Sequence, residues 1–204
     1  MKDKILTYYE REIATIKAMN FEEIEAAVQA IKDAYDREAT IYTFGNGGSA
    51  ATASHFVCDF NKGICEKLDK KFNLICLNDN TPIVMAIAND ISYEDVFSFQ
   101  LVNKLKPTDL IIAISGSGNS KNVIKAVEYA KSIGCKVVGM TGYSGGKLNE
   151  LADYRMHVPV DDMQITEDLH MSFDQIVKYL EDIEGTAECF PYDEIQELRE
   201  AFWL

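Results

Sequence analysis

The sequence predicts an α/β fold, a parallel sheet covered on both faces by helices. Four short runs rich in Ile, Val and Phe have the length of buried strands: "IYTF" (41–44), "FNLICL" (72–77), "LIIAIS" (110–115) and "KVVGMT" (136–141). Helical patterns at 49–60, 81–89, 93–105 and 119–132 lie between them, and such alternation is the signature of a parallel sheet. Glycine-rich turns, "GNGGS" and "SGSGNS", directly follow the first and third runs.

Each element has its own reason. Ile5, Tyr8, Tyr9, Ile13 and Ile16 recur at helical spacing. Asn20 then offers an N-cap to "FEEIEAAVQAIKDAYDREA", so residues 1–36 read as a helical pair ahead of the sheet. The signals at 81–89 and 93–105 both fall between the second and third strands, which makes that crossover the longest. A fifth run, "YRMHVPV" (154–160), is a less clean strand because Pro159 lacks a backbone donor. Beyond it, "DDMQITEDLHMSFDQIVKYLEDI" reads as a long amphipathic helix with Ile165, Leu169, Phe173, Ile176 and Leu180 on one stripe. The extension 184–204 ends in a short helix marked by Ile195, Leu198 and Phe202. No repeat or linker divides the chain, so 1–204 reads as a single domain.

Composition narrows the function. The formal net charge is −13, and the arginines are limited to Arg11, Arg37, Arg155 and Arg199. Nucleic-acid surfaces need clustered basic residues, so no nucleic-acid partner is expected. An anionic ligand must find local donors instead. Cys58, Cys65, Cys76, Cys135 and Cys189 follow no metal-binding or redox spacing and read as packing residues. The charged start "MKDKILTYYEREIATIK" is no secretory signal. No apolar stretch approaches the roughly 20 residues that span a bilayer. A cytoplasmic protein with no membrane partner is expected.

In open α/β sheets ligands bind beyond the carboxyl ends of strands. Glycines there expose backbone N–H groups, helix N-termini add partial positive charge, and hydroxyls complete an anion shell. Ser49, Ser115, Ser117 and Ser120 are therefore the candidate phosphate ligands. Either turn alone is an ordinary βα connection; two hydroxyl-rich turns at strand ends favour a phosphate. "GNGGSA" ends in Ala where a dinucleotide fingerprint has Gly, and no GK[ST] loop occurs, so no nucleotide cofactor is expected.

"FGNGGSAATASHF", "AIANDISYEDVF", "ISGSGNSKNVIKAVEYAKSIGCKVVGMTG" and "GGKLNELADYRMHVPVDD" resemble the sugar isomerase (SIS) domain family. Within it they are most similar to the phosphoheptose isomerase branch, which interconverts sedoheptulose 7-phosphate and a heptose 7-phosphate. The resemblance covers about residues 1–183. It implies a three-layer sandwich around a five-stranded parallel sheet, and homotetramers with active sites between subunits. It assigns the four serines to phosphate and Asn46 and Asp90 to the sugar. Gly47, Gly48, Asn89 and Asn119, in the same motifs, complete the expected substrate-binding set.

Aldose–ketose isomerisation moves a proton between adjacent carbons through an enediol, so it needs an acid, a base and an anchor. By the resemblance, an early helix supplies His and, four residues on, Glu; a late helix supplies Gln and, eight residues on, His. Some members bind zinc with all four. At these places the present chain has His55, Asp59, Glu167 and Gln175, while His170 matches a family His that is not the catalytic one. Gly116 replaces a Thr between the phosphate serines. The expected acid–base set is Asp59 and Glu167 facing one pocket, with His55 and Gln175 beside them and His170 in reserve. His55, Asp59, Glu167 and Gln175 are the candidate ligands for zinc or a harder divalent ion. Loss of the family His also leaves open a non-catalytic phosphosugar-binding or adaptor protein, similar to the family's replication-initiator-associating relative.

Overall fold

The computed structural model describes residues 1–66 and 68–186. The strands are β1 (Ile41–Gly45), β2 (Leu74–Cys76), β3 (Leu110–Ser115), β4 (Lys136–Thr141) and β5 (Tyr154–His157). They form an all-parallel sheet in the order β2-β1-β3-β4-β5. The helices are α1 (Lys2–Ala18), α2 (Phe21–Asp36), α3 (Gly48–Cys58), α4 (Thr81–Asp90), α5 (Ser98–Leu101), α6 (Lys121–Ser132), α7 (Gly146–Leu151) and α8 (Met163–Thr186). Two cores sandwich the sheet, making the three layers that the sequence predicts. One gathers Ile41, Leu110, Ile112 and Ile114 with residues of α2, α3 and α8. The other gathers Tyr42, Phe44, Ile111 and Ala113 with residues of α5 and α6. Successive strand residues point to opposite faces, so covering both faces requires the uninterrupted apolar runs of β1 and β3.

Several boundaries differ from expectation. β2 is shorter than "FNLICL", spanning Leu74–Cys76, and the Asn61 amide covers its outer edge, donating to the Leu74 carbonyl at 2.9 Å and accepting from the Leu74 N–H at 3.0 Å. The 93–105 pattern resolves into a 3₁₀ turn at Tyr93–Asp95 and the short α5. Helix α7 has no counterpart in the sequence reading. The stripe on α8 also shifts: Ile165, Leu169, Phe173 and Val177 are buried, whereas Ile176 is 39% exposed. The column beside that stripe, Thr166, His170 and Asp174, is buried as well. A steady i, i+4 row packs inward, and Ile176 falls outside it. Asn20 caps α2 by accepting from the Glu23 amide at 3.2 Å. Helix α1 buries only Thr15 and leaves Ile5, Leu6 and Tyr9 about half exposed. Burial pushes the Cys76 thiol up to about 11 and the Cys135 thiol up to about 12, as suits packing cysteines. The expected terminal helix and Cys189 lie outside the described residues.

Candidate active site

β1 has β2 on one side and β3 on the other, so the chain changes direction across the sheet at β1. This is the switch point at which open α/β sheets hold ligands. The two glycine-rich turns stand side by side there, since Gly45 pairs with Ile114 one residue before Ser115. Ser49 is buried in the first turn of α3. The Ser115 and Ser120 hydroxyls meet at 3.1 Å, and exposed Ser117 accepts from the Asn119 amide at 3.2 Å. Gly118 has φ +66°, and a side chain there would collide with the Gly145 carbonyl of the β4–α7 turn. The Leu148 amide donates to the Gly118 carbonyl at 2.9 Å and the Lys147 amide to Asn119 at 3.1 Å. Asn119 thus holds the loop together.

Some helices are closed by a side chain and others, including α1, α5 and α7, are not. Asn20 and Asn80 close α2 and α4 with side-chain hydrogen bonds. Helices α3 and α6, which open at Gly47 and Ser120, have no side-chain cap. Apart from the Val123 N–H, which donates to Asn122 Oδ1, their first N–H groups take no side-chain cap, and the partial positive charge there suits an anion. Asn46, in the first turn, is bonded to Asn122 of α6 and to Tyr93. Asn89 donates to Asp90 at 2.7 Å on the exposed end of α4.

Helices α3 and α8 run side by side in the same sense, which sorts the expected acid–base residues into two places. Near the start of both, the Glu167 carboxylate presses on Gly48, where a Cβ would collide with it. Near the end of α3, His55 Nε2 lies 3.4 Å from Asp59 Oδ2 and 3.5 Å from Asp174 Oδ2. Gln175 Nε2 lies 3.0 Å from His55 Nε2, 2.8 Å from Asp59 Oδ2 and 3.3 Å from Asp174 Oδ2. Asp59 opens a π-helical turn, Asp59–Gly63, which re-aims the chain beyond α3. Asp59 and Glu167 thus lie at opposite ends of α3: Gly48 and Asp59 are separated by roughly 16 Å of helical rise at 1.5 Å per residue.

Asp174, which the sequence reading missed, takes the place foreseen for Glu167 in the metal-ligand set. Its signal was a carboxylate beside the apolar stripe of α8. Ligand atoms of His55, Asp59 and Asp174 all lie within 4.8 Å of one another. The Gln175 amide nitrogen, with two hydrogens for three acceptors, sits where they converge. Two carboxylates and an imidazole around one point form a donor set that fits a divalent cation.

His170 lies in the buried column of α8. It is fully buried, and its Nε2 lies 3.1 Å from the Thr141 carbonyl. A carbonyl only accepts, so Nε2 carries the proton; Nδ1 has no hydrogen-bond partner among the described residues. Burial therefore pushes this imidazole down to about 4. Its neutral form should stabilise the fold fully above about pH 6.5, where the unfolded side chain is also neutral. As pH falls towards 4 the unfolded chain takes up the proton first, and about 3 kcal/mol is lost. Urea midpoints from pH 7 to 4.5 should fall more steeply for the wild type than for His170→Gln. Parallel slopes would count against this account.

A groove of about 410 Å³ beside the second turn is lined by Asn119, Lys121, Ile124, Lys125, Lys147, Glu94 and Glu128. Its lysines pair with Glu94, Asp95 and Glu128, so it offers an anion little net attraction.

Fold, switch point and hydroxyl-rich turns define an α/β protein with a candidate phosphate site at two strand ends. The SIS domain family profile matches residues 6–142, and the chain belongs to that family. The "Probable phosphoheptose isomerase" of Thermoplasma acidophilum is 42% identical over 154 residues, which is 76% of this chain and 84% of that protein. The phosphoheptose isomerase of Aliarcobacter butzleri is 36% identical over 174 residues, 85% of this chain and 91% of that one. The structure of phosphoheptose isomerase GmhA from Neisseria gonorrhoeae superposes with a TM-score of 0.80 at 26% identity, covering 89% of this chain and 98% of that one.

Proposed function

We propose that this protein is an aldose–ketose isomerase acting on a sugar phosphate, with sedoheptulose 7-phosphate as substrate. The observation that carries this reading is the pair of uncapped helix N-termini, α3 and α6, beside Ser49, Ser115, Ser117 and Ser120. That arrangement suits a phosphate without arginine. Relatives named for phosphoheptose isomerisation narrow the sugar. Proton-exchange NMR across a panel of ketose and aldose phosphates tests it, with exchange expected for sedoheptulose 7-phosphate. Ser117→Ala should weaken sugar-phosphate binding with the fold intact; undiminished affinity in calorimetry would sink the anchor assignment.

Asn46, Gly47, Gly48, Asn89, Asp90 and Asn119 are proposed to line the sugar's path. The His55–Asp59–Asp174 cluster, with Gln175, is proposed to hold zinc or a harder divalent ion, and two carboxylates favour the harder one. An ion held there would supply Lewis-acid chemistry. The protein's own part is to anchor the phosphate and to bring Glu167 and Asp59 to the exchanging carbons. The adaptor reading has no observation of its own. A buried Asp174 near a second carboxylate costs the fold stability, as functional sites do.

The separation of Glu167 from Asp59 supports active sites between copies of the chain, the anchor of one meeting the cluster of another. Exposed apolar residues offer the contacts: Ile5, Leu6 and Tyr9 on α1, Met85 on α4, and Phe99 on α5. We assign the protein to a homotetramer in the cytoplasm, where its free cysteines stay reduced. Light scattering that gave a stable monomer of 22.9 kDa at micromolar concentration would refute the assembly.

A further inference from the structure

One hydrogen-bond network beside the phosphate turns involves two residues with no role so far. It starts from a group whose direction is certain. The backbone N–H of Val123, in the first turn of α6, can only donate, and it donates to Asn122 Oδ1 at 3.0 Å. That identifies the oxygen of the Asn122 amide, which is buried. The Asn122 and Asn46 amides then pair reciprocally. Asn46 Nδ2 donates to Asn122 Oδ1 at 2.9 Å, and Asn122 Nδ2 donates to Asn46 Oδ1 at 2.9 Å. The Tyr93 hydroxyl donates to the same Asn46 oxygen at 2.8 Å.

Counting sites on Asn46 gives the consequence. An amide oxygen accepts two hydrogen bonds and an amide nitrogen donates two. Asn122 and Tyr93 fill both places on the oxygen, and Asn122 takes one of the two N–H groups. The side chain is left with a single N–H, in the first hydroxyl-rich turn just after β1. We infer that Asn122 and Tyr93 are positioning residues, which turn Asn46 into a donor-only group for an acceptor oxygen of the bound sugar. Tyr93 comes from the 3₁₀ turn after α4 and Asn122 from α6, so two separate segments hold one amide. Without them the amide is free to rotate and present its oxygen, which a sugar carbonyl would meet as a repulsive lone pair. This inference rests on the isomerase reading for the identity of the ligand.

A double-mutant cycle with Tyr93→Phe and Asn46→Ala tests it, read by calorimetry with sedoheptulose 7-phosphate and with inorganic phosphate. Tyr93→Phe keeps the ring and removes one hydrogen bond. It should weaken the sugar phosphate about 3- to 10-fold, the scale of one net hydrogen bond. Inorganic phosphate binding and the melting temperature should not change. In the Asn46→Ala background the Tyr93→Phe effect should vanish, because Tyr93 acts only through Asn46. A penalty that persists there, or an equal loss for inorganic phosphate, overturns the inference. Order of the Asn46 side-chain amide, from nitrogen relaxation, needs no ligand. It should match the backbone in the wild type and fall in Tyr93→Phe, and an amide equally ordered in both also overturns the inference. A wild type that binds no sugar phosphate would overturn the isomerase reading instead, with amide order then deciding the network alone.

Discussion

Glu167→Gln should lower turnover of sedoheptulose 7-phosphate by at least about a hundredfold, the scale on which positioned acids and bases act. The change keeps shape and removes a proton carrier, and Gln is the residue the family usually has at that corner. This chain also differs from the family pattern at the other corner, where Gln175 has no titratable proton and cannot replace the family His. The carboxylate of Glu167 is thus proposed to take over proton transfer. Its place against Gly48 adds a second expectation. Removing a negative charge beside the uncapped start of α3 should leave inorganic phosphate binding unchanged or tighter. Loss of kcat with intact phosphate affinity would separate proton transfer from anchoring. A variant with full activity on the true substrate would remove Glu167 from the chemistry.

Asp174→Asn should act oppositely on stability and on metal binding. Asp59 and Asp174 hold carboxylate oxygens within 4.8 Å of each other and of the His55 imidazole, with Asp174 fully buried. Without a cation, neutralising Asp174 relieves like-charge repulsion and a buried charge, so the metal-free variant should melt higher than the wild type. With Mn²⁺ or Zn²⁺ added, the wild type should gain about 3 kcal/mol at a hundredfold excess over its dissociation constant. The variant should lose most of that gain, as its affinity falls by more than the 10- to 100-fold typical of second-shell changes. Thermal melts across a metal titration, with turnover measured alongside, check both directions. A variant stabilised by metal as strongly as the wild type would exclude Asp174 as a ligand.

The strands β1, β3 and β4 were legible because burial on both faces demands continuous apolar runs, and such runs are shorter than most helices. The phosphate turns were legible because glycine and hydroxyl chemistry at a strand end is local. The broken 93–105 helix and the brief α7 were not, since segments of a few residues are decided by their neighbours rather than by periodicity. Ile176 was misplaced on α8 because a short stripe admits either an i+3 or an i+4 step, and only packing into the core selects Val177.

The candidate site divides the same way. From residue types alone came a phosphate anchor built of Ser49, Ser115, Ser117 and Ser120, and a His55–Asp59 pair one helical turn apart. Which carboxylate of α8 joins that pair depends on how two helices far apart in the chain lie against each other. Because α3 and α8 run side by side in the same sense, Glu167 falls beside Gly48, and Asp174 with Gln175 falls beside His55. The Asn46–Asn122–Tyr93 network is decided likewise, by three segments that meet only across the folded sheet. Spacing within one helix is set by the backbone repeat and can be read from sequence. Pairing between elements is set by the packing of side chains, and only the assembled core specifies it.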